Sequence, residues 1–505
     1  MLPPSEMTSS CTRFLLTKIV LSVILAYSLT MLATNMIDNE DLPRWPILLV
    51  MIVSEIMDLA ASTIVNVGGP ALIDALGAST AQMQWVIGGY ALALGAGLVL
   101  GGRLGDRFGR RNMFLYGLGA FIIASLCCAM APTIAMLIAF RLLQGLAGAM
   151  LLPQGLGLLR ENYQGPALAK VFGIFGPVLG LAGILGPVLG GMLLEINLFG
   201  LGWRAVFLVN MPIGLACFLV AWRYLPRRPG DPSVNIDLAG ATLLVLSSVL
   251  LVLPLGAEGA WPAWGSPCIL MAAVGFSLFV LRQSALVRAG KTPLILASIF
   301  QRSAYTAGLA GIALFFCSLV GMQLVMTLFL QIGHSLTAGE ASIANLPFAV
   351  GTACGATLSG AVLAARFGRK VLQLGAAVQL AGVALLQFEL GNTEVFSAWH
   401  MVPGMLVCGV GAGLVIAALF SIILASLDEK QIGSGSGVLS AVQSIAASIG
   451  VALFSGTFFS AHPAIAPDHA LSAALTIQAF TLIAFMGVTL FFPTAAKSEL
   501  EVSHG

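Results

Sequence analysis

The sequence predicts an all-α membrane protein, and two observations lead to this fold class. Of the 505 residues, 58% are hydrophobic and only 9% are charged, whereas soluble domains carry about 25% charged residues. The apolar residues also form long continuous runs, while the strands of a membrane barrel alternate apolar and polar residues. We therefore expect a multi-pass helical protein of the cytoplasmic membrane.

About fourteen runs are long enough to cross a bilayer, for which a helix needs about 20 mostly apolar residues. They lie at Pro46–Val67, Gln84–Leu104, Met113–Met130, Thr133–Gly155, Val171–Leu194, Ala205–Trp222, Leu238–Leu255, Pro267–Leu281, Ala304–Leu330, Ala341–Leu363, Val371–Leu390, Met401–Leu427, Gly433–Ser460 and Leu471–Phe492. The loops between these runs are too short to fold as separate domains.

Lysine and arginine residues lie almost entirely in one set of alternate loops. That set contains Arg103, Arg107, Arg110, Arg111, Arg160, Lys170, Arg223, Arg227, Arg228, Arg282, Arg288, Lys291, Arg302, Arg366, Arg369, Lys370, Lys430 and Lys497. The opposite set contributes only Arg204. Because basic loops stay in the cytoplasm, both ends of the fourteen-helix body are predicted to be cytoplasmic.

The segment Phe14–Ala33 does not fit this scheme. It is apolar enough to span, and Arg13 and Lys18 lie at its start, as in a signal peptide or an extra helix. Residues 1–45 are therefore either an extension or the result of a misplaced start, or they form an added membrane helix. The sequence leaves both interpretations open.

A basic turn occurs twice, about half the chain apart. The first copy runs from Gly101 to Arg111 after the second span, and the second runs from Gly360 to Lys370 after the tenth. Such a repeat indicates two related halves. The predicted organisation is a six-helix bundle over 46–222, a linker with two inserted helices over 223–303, a second six-helix bundle over 304–493 and a cytoplasmic tail over 494–505.

Four local motifs accompany this organisation. They are Gly102-x-Leu104-x-Asp106-Arg107-x-Gly109-Arg110-Arg111, Arg141-Leu142-Leu143-Gln144-Gly145, Gly183-x-x-Gly186-Pro187-x-x-Gly190-Gly191, and Trp203-Arg204-x-x-Phe207-x-x-Asn210-x-Pro212-x-Gly214. With these motifs the sequence resembles the major facilitator superfamily and, within it, the fourteen-span drug:proton antiporters. The resemblance covers roughly Pro46 to Phe492. It implies a transporter that exports amphipathic small molecules in exchange for protons, with no cofactor and no enzymatic activity.

The resemblance also implies roles for two of the motifs. The first would form a cytoplasmic gate, in which a charge network around Asp106 locks one conformation of the two halves; its residues are Gly102, Asp106, Arg107, Gly109 and Arg110. The third would be the antiporter motif of helix five, with Gly183, Gly186, Pro187, Gly190 and Gly191, whose small residues also suit simple close packing. The sequence departs from the family pattern at Ala61, where an Asp is usual, and at Ala365 in the second basic turn.

Two carboxylic acids lie deep in the first predicted span. Glu55 is nine residues past Pro46 and Asp58 is twelve past it, which places them roughly 14 and 18 Å into a hydrocarbon core of about 30 Å. An ionised carboxylate at that depth costs at least about 2.5–3.5 kcal/mol unless it meets water or a partner. We expect this pair to carry protons, although a permanently protonated structural pair would also fit.

Arg141 is the only basic residue deep within a predicted span of the body. With Gln144 it lies on one stripe of the fourth helix. Because the resemblance places helices one and four beside the same cavity, Arg141 is the expected counter-charge for Asp58 or Glu55. A structural ion pair that never breaks during transport is the alternative.

Several classes of function are disfavoured. The formal charge of +2 provides no basic field for nucleic acid, and the His, Cys and carboxylate spacings fit no metal or hydrolase site. No obligatory protein partner is expected. The alternatives to a proton-coupled exporter are a facilitator or importer without proton coupling and a non-transporting membrane sensor of the same fold.

Overall fold

The computed structural model describes residues 45–163, 171, 186–187, 189–197, 200–256, 262–291, 293–295, 297–392, 397–427, 429–461 and 466–492. These residues form helices and no strand, which confirms the predicted fold class. The N-terminal extension up to residue 44, Gly183 and the tail over 494–505 lie outside the described residues.

Thirteen helices of the described part are long and apolar enough to cross a membrane. They are α1 Trp45–Leu76, α2 Thr80–Phe108, α3 Arg110–Met130, α4 Ile134–Asn162, α5 Gly202–Tyr224, α6 Leu238–Leu255, α7 Gly265–Arg288, α8 Ser303–Gly333, α9 Ala338–Leu358, α10 Arg369–Gly391, α11 Ala398–Leu424, α12 Gly435–Ser460 and α13 Pro467–Thr489. Each matches one predicted span. The remaining prediction, Val171–Leu194, falls mostly outside the described residues, so the count of fourteen is not reached there.

The buried side chains divide unevenly between the two faces of the membrane. We call α1–α5 the first half, α8–α13 the second half, and the end with the basic turns the basic end. At the opposite end, one apolar cluster takes side chains from both halves, among them Leu72, Met83, Phe329 and Leu475. At the basic end, the described residues form two clusters, one in the first half and one in the second half with the linker and Val99 of α2.

The two halves repeat the same helix contact. A side chain on Gly145 of α4 would collide with the backbone oxygen of Tyr90 in α2, and one on Gly409 of α11 would collide with that of Phe348 in α9. The helices approach this closely because glycine leaves the backbones exposed to each other. The internal repeat is therefore present in the packing as well as in the basic turns.

Each basic turn also supplies an arginine that caps the last helix of its half. Arg111 Nη2 donates to the Trp222 carbonyl oxygen in the last turn of α5, at 2.6 Å. Arg369 Nη1 donates to the Leu490 carbonyl oxygen just beyond α13, at 2.7 Å. Terminal helix carbonyls lack intrahelical partners and carry partial negative charge, so an arginine stabilises them.

The inserted helices α6 and α7 are joined by one buried carboxylate at their basic ends. Asp237 caps α6 through the Gly240 amide at 2.9 Å and accepts from Arg282 Nε at 2.7 Å and Gln283 Nε2 at 2.9 Å. Burial works to raise the pKa of Asp237, but these hydrogen bonds hold it below its usual range. Gln283 Oε1 in turn accepts from the Leu294 amide at 2.7 Å, which ties both helices to the segment leading into the second half.

Candidate functional site

Helix α1 holds both predicted acids inside the first half. The exposed fraction is 6% for Glu55 and 7% for Asp58. The Tyr90 hydroxyl of α2 donates to Asp58 Oδ1 at 2.5 Å, a short hydrogen bond. No hydrogen bond or ion pair from another described residue reaches the carboxyl of Glu55. Asp58 is thus the acid that its surroundings hold in a defined place.

Arg141 of α4 is fully buried beside this pair. Its Nε donates to the Val86 carbonyl oxygen at 2.9 Å, and its Nη1 donates to the Ala61 carbonyl oxygen at 3.2 Å and to Gln144 Oε1 at 2.8 Å. The Nη2 atom has no hydrogen-bond partner among the described residues. A buried guanidinium nitrogen without a partner is energetically costly. Nη2 can therefore gain a hydrogen bond by donating to an anionic or carbonyl group.

Tyr90 lies between the acid and the arginine. The guanidinium carbon of Arg141 is 4.2 Å from the centre of the Tyr90 ring, within the range of a cation–π contact. No N–O distance of 4.0 Å or less joins Arg141 to Asp58 or Glu55 in the described part of the chain. In this structure the Tyr90 ring therefore lies between Asp58 and its expected counter-charge, and the two groups form no direct ion pair.

Gln144 extends the site across three helices. Its Nε2 donates to Ser125 Oγ of α3 at 2.6 Å, and Asn210 Nδ2 of α5 approaches the same hydroxyl at 3.4 Å. Gln144 and Ser125 are completely buried. This network fixes the rotamer of Gln144 and, through it, one side of the Arg141 guanidinium.

The two predicted groups lie at the same depth in the membrane. Asp58 is thirteen residues into α1 from the basic end, about 20 Å, and Arg141 is seven residues into α4 from the opposite end, about 10 Å. These levels coincide in a hydrocarbon core of about 30 Å.

Gly148 of α4 packs directly against the carboxyl of Asp58. A side chain there would collide with Asp58 Oδ1 and would lie 3.3 Å from the Tyr90 hydroxyl. Helix α4 is interrupted just beyond this residue, at Ala149 and Met150. A glycine at this position leaves room for the acid and its hydrogen bond.

We expect Gly148→Ala to reduce transport about tenfold or more while the protein still inserts. The added methyl group would displace the Asp58 carboxyl from the Tyr90 hydroxyl, and a displacement that costs about 1.4 kcal/mol slows a step tenfold. Initial export rates, normalised to the amount of protein in the membrane, give the measurement. Gly119→Ala in α3 is the matched control, since its nearest neighbour, Phe218, is 3.7 Å from the added atom. Equal rates for both variants would contradict a role for this contact.

The basic turn between α2 and α3 forms a chain of ion pairs. Arg110 Nη2 lies 2.8 Å from Asp106 Oδ1, and Arg110 Nε lies 2.9 Å from Glu161 Oε1 at the end of α4. Gly109 makes the sharp connection with φ +89°, a backbone conformation that favours glycine. Gly102 faces Pro153 across the α2–α4 contact.

The linker after α5 packs directly on this turn. The Asp231 amide donates to the Asp106 carbonyl oxygen at 2.8 Å, and Arg107 Nη1 donates to the Val234 carbonyl oxygen at 3.2 Å. Arg228 Nη1 lies 3.8 Å from Glu161 Oε2. The described contacts of the turn thus join the first half to the linker. The sequence did not reveal the linker as a partner, because its residues carry no motif.

We expect Asp106→Ala and Arg107→Ala each to lower turnover about fivefold. Asp106→Ala removes the ion pair that orients Arg110, which also binds Glu161 of α4, and Arg107→Ala removes the hydrogen bond to the Val234 carbonyl. Each loss is worth about 1 kcal/mol. Insertion should be unchanged, since the remaining arginines still set the topology. Export rates per inserted molecule test this, with Asp74→Ala, an exposed acid at the opposite end, as control. Normal turnover in both variants would reduce the turn to a topology signal.

The antiporter motif of the fifth predicted span precedes α5 in the chain, and its described residues contact both halves. Gly186 packs against Ala60 of α1, and Gly190 packs against Ile64 of the same helix. The Pro187 carbonyl oxygen accepts from Ser342 Oγ of α9 at 2.9 Å, and Gly191 packs against the same serine. The motif therefore lies where the first and second halves meet at the opposite end.

Comparison with known proteins decides the family. The model of the Major Facilitator Superfamily matches residues 50–451, most of the chain. The chain belongs to the major facilitator superfamily. It is therefore a multi-pass membrane transporter rather than an enzyme, as its motifs predicted.

The relatives of this superfamily member include export and resistance proteins. It is 42% identical to a probable actinorhodin transporter of Streptomyces coelicolor over 82% of this chain and 72% of the relative. It is 32% identical to the tetracenomycin C resistance and export protein of Streptomyces glaucescens over 81% of this chain and 75% of that protein. A solved structure from work on proton-dependent oligopeptide transporters has a TM-score of 0.61 at 17% identity, covering 88% of this chain and 97% of that one, and shows the shared fold.

Sequence reasoning identified both acids, Arg141 and Gln144, but it missed Tyr90. A tyrosine six residues into an apolar run is the available signal, because a buried hydroxyl usually finds a hydrogen-bond partner. The periodicity of one helix, however, does not identify the residue on another helix that accepts this hydrogen bond.

Proposed function

We propose that the chain exports antibiotic-like small molecules from the cytoplasm in exchange for protons. The observation that carries this proposal is the Asp58 carboxyl, buried in α1, hydrogen-bonded to Tyr90 and one ring away from Arg141. The names of the two curated relatives, an actinorhodin transporter and a tetracenomycin C export protein, support the direction and the kind of cargo.

The groups around Asp58 have opposite effects on its protonation. Removal from water and the nearby Glu55 favour the protonated acid, while the Tyr90 hydroxyl and the Arg141 charge favour the carboxylate. In the proposed cycle, a change of access to water on either side of the membrane loads or releases a proton at Asp58. Glu55, with no described partner, provides the second exchangeable carboxyl of the pair.

Arg141 and the acids also explain how cargo and proton compete. When Asp58 is protonated, it no longer accepts a hydrogen bond or a positive charge from the cargo, so proton binding favours release of the cargo. When Asp58 is ionised, it offers a negative charge to a cationic cargo. Both charge signs are present, so the proposal commits to exchange and not to the charge of the cargo.

The difference in packing between the two ends of the protein supports alternating access. The halves share one apolar cluster at the opposite end and have largely separate clusters at the basic end. In the proposed cycle, the shared cluster separates to release cargo outside, and the basic ends of the two halves approach each other to close the cytoplasmic side.

The energy available fits an exporter. One proton entering down a potential of about 100 mV releases about 2.3 kcal/mol. At about 1.4 kcal/mol per tenfold, this supports roughly a fifty-fold gradient of a neutral cargo. A monovalent cation exchanged for one proton moves no net charge, so only the pH difference drives it.

Transport into inside-out vesicles tests the proposal. A growth-inhibition panel, run with and without the protein, first selects a compound against which it protects. We expect vesicles containing the protein to accumulate that compound when their interior is acidified, and to stop when the gradient collapses. Accumulation to equilibrium without dependence on pH would indicate a facilitator. Transport in the opposite direction would indicate an importer, and no transport would favour a sensor.

A further inference from the structure

The second half contains a cavity where the first half has its polar cluster. The cavity lies between α8, α9, α10, α11 and α13. These are the first four helices and the last helix of the second half. The cluster around Asp58 and Arg141 lies between the corresponding helices of the first half, which are α1 to α4 and α5. Met405 in its wall is seven residues into α11 from the opposite end, about 10 Å. This is the depth of Arg141 in α4.

The correspondence extends to individual side chains. The repeated contact at Gly145 and Gly409 aligns the two halves. Counted from it, three pairs correspond: Tyr90 with Phe348, Arg141 with Met405, and Gln144 with Cys408. The second half therefore has two apolar side chains and a thiol where the first has a phenol, a guanidinium and an amide. Its cavity is the uncharged counterpart of the polar cluster.

Two glutamine side chains face this cavity, Gln323 from α8 and Gln478 from α13. Neither side-chain amide makes a hydrogen bond to any described residue, and the exposed fraction of Gln478 is only 3%. Buried amides are normally paired, because an unpaired one loses its bonds to water without replacement. Each amide can donate and accept, so both are suited to a carbonyl or hydroxyl group.

The rest of the wall is apolar and adaptable. Met322, Met326 and Met405 contribute flexible, polarisable side chains, and Phe348 contributes an aromatic ring. The open space is about 20 Å³, which holds about one water molecule. A larger occupant enters by displacing the methionine side chains, which adopt several rotamers at low cost.

We propose that this cavity binds an uncharged, mostly aromatic small molecule that bears a hydroxyl or carbonyl group. The polar group bonds to Gln323 and Gln478, and the rings contact Phe348 and the methionines. None of the described residues that line the cavity is charged, so a charged molecule finds no counter-ion there. As a statement about cargo, this assignment rests on the proposed export function, and it gives the cargo an uncharged contact in the second half in addition to the charged site of the first half.

Equilibrium dialysis with the full-length protein in lipid nanodiscs tests the site, with empty nanodiscs as the reference. The probes are 1-naphthol, which is uncharged with one hydroxyl, and N-methylquinolinium, a permanent cation of the same two-ring size. We expect saturable binding of 1-naphthol. The Gln323→Leu, Gln478→Leu double variant should weaken it about tenfold, as loss of two hydrogen bonds implies. Cys408→Met, which fills the cavity, should weaken it as well, whereas Cys354→Met on the exposed face of α9 should not.

The outcomes separate this site from the proton exchange. Binding needs no gradient, so saturable 1-naphthol binding is measurable even if the vesicle experiment shows no pH-driven export. Absence of saturable 1-naphthol binding, or parental affinity in both the glutamine double variant and Cys408→Met, would overturn the assignment. Binding of N-methylquinolinium that depends on the two glutamines would also overturn it, because it would show that the cavity accepts charge.

Discussion

The Glu55→Gln, Asp58→Asn double variant is expected to lose pH-driven export by at least about a hundredfold. Each amide is nearly isosteric with its acid, so folding and insertion should survive, but neither amide can take up or release a proton at any pH used. The Tyr90 hydroxyl can still donate to the amide oxygen at position 58, which preserves the local structure. A loss of that size corresponds to about 2.7 kcal/mol in the limiting step.

Initial rates of accumulation in inside-out vesicles under an imposed pH gradient give the measurement. Glu389→Gln in α10 is a matched control, since it neutralises another carboxyl within a membrane helix but in the second half. The single variants show how the work is shared, and we expect Asp58→Asn alone to account for most of the loss. Parental rates in the double variant would place the proton site elsewhere in the chain.

The second large effect is expected for Arg141→Lys, which should reduce export about a hundredfold and destabilise the folded protein. An ammonium group retains the charge but cannot make the three hydrogen bonds to Val86, Ala61 and Gln144 with the geometry of a planar guanidinium. Breaking a buried charged network of this kind costs about 3–5 kcal/mol.

Export rates and the midpoint of thermal unfolding in detergent should therefore fall together. Arg204→Lys is the control, because Arg204 is half-buried at the opposite end, where it stacks on Trp203 at 4.5 Å. Unchanged rates with a lowered midpoint would assign Arg141 to structure alone, which is the alternative that the sequence left open.

Much of this molecule could be predicted from its sequence because the bilayer imposes simple rules. Thirteen described helices coincide with apolar runs, since a chain in lipid must satisfy its backbone within each helix. Glu55, Asp58 and Arg141 were identifiable because charge is rare in such runs.

What the sequence could not provide is how residues meet across helices. The position of Tyr90 between Asp58 and Arg141 depends on the close α2–α4 approach at Gly145. The partners of the basic turn are backbone groups of the linker, such as the Val234 carbonyl, and a backbone group has no sequence signal. The glutamines of the second half became informative only when the structure showed them facing one cavity, with no side-chain hydrogen bond to any described residue.

The apolar cluster shared by the halves at the opposite end has a thermal consequence for the transport cycle. An exporter that opens there must bring side chains such as Leu72 and Phe329 into contact with water. Newly hydrated apolar surface adds about 0.45 cal/K/mol of heat capacity per Å². The enthalpy of the opening step therefore grows on warming, and where that step limits turnover, an Arrhenius plot of the rate is curved rather than straight.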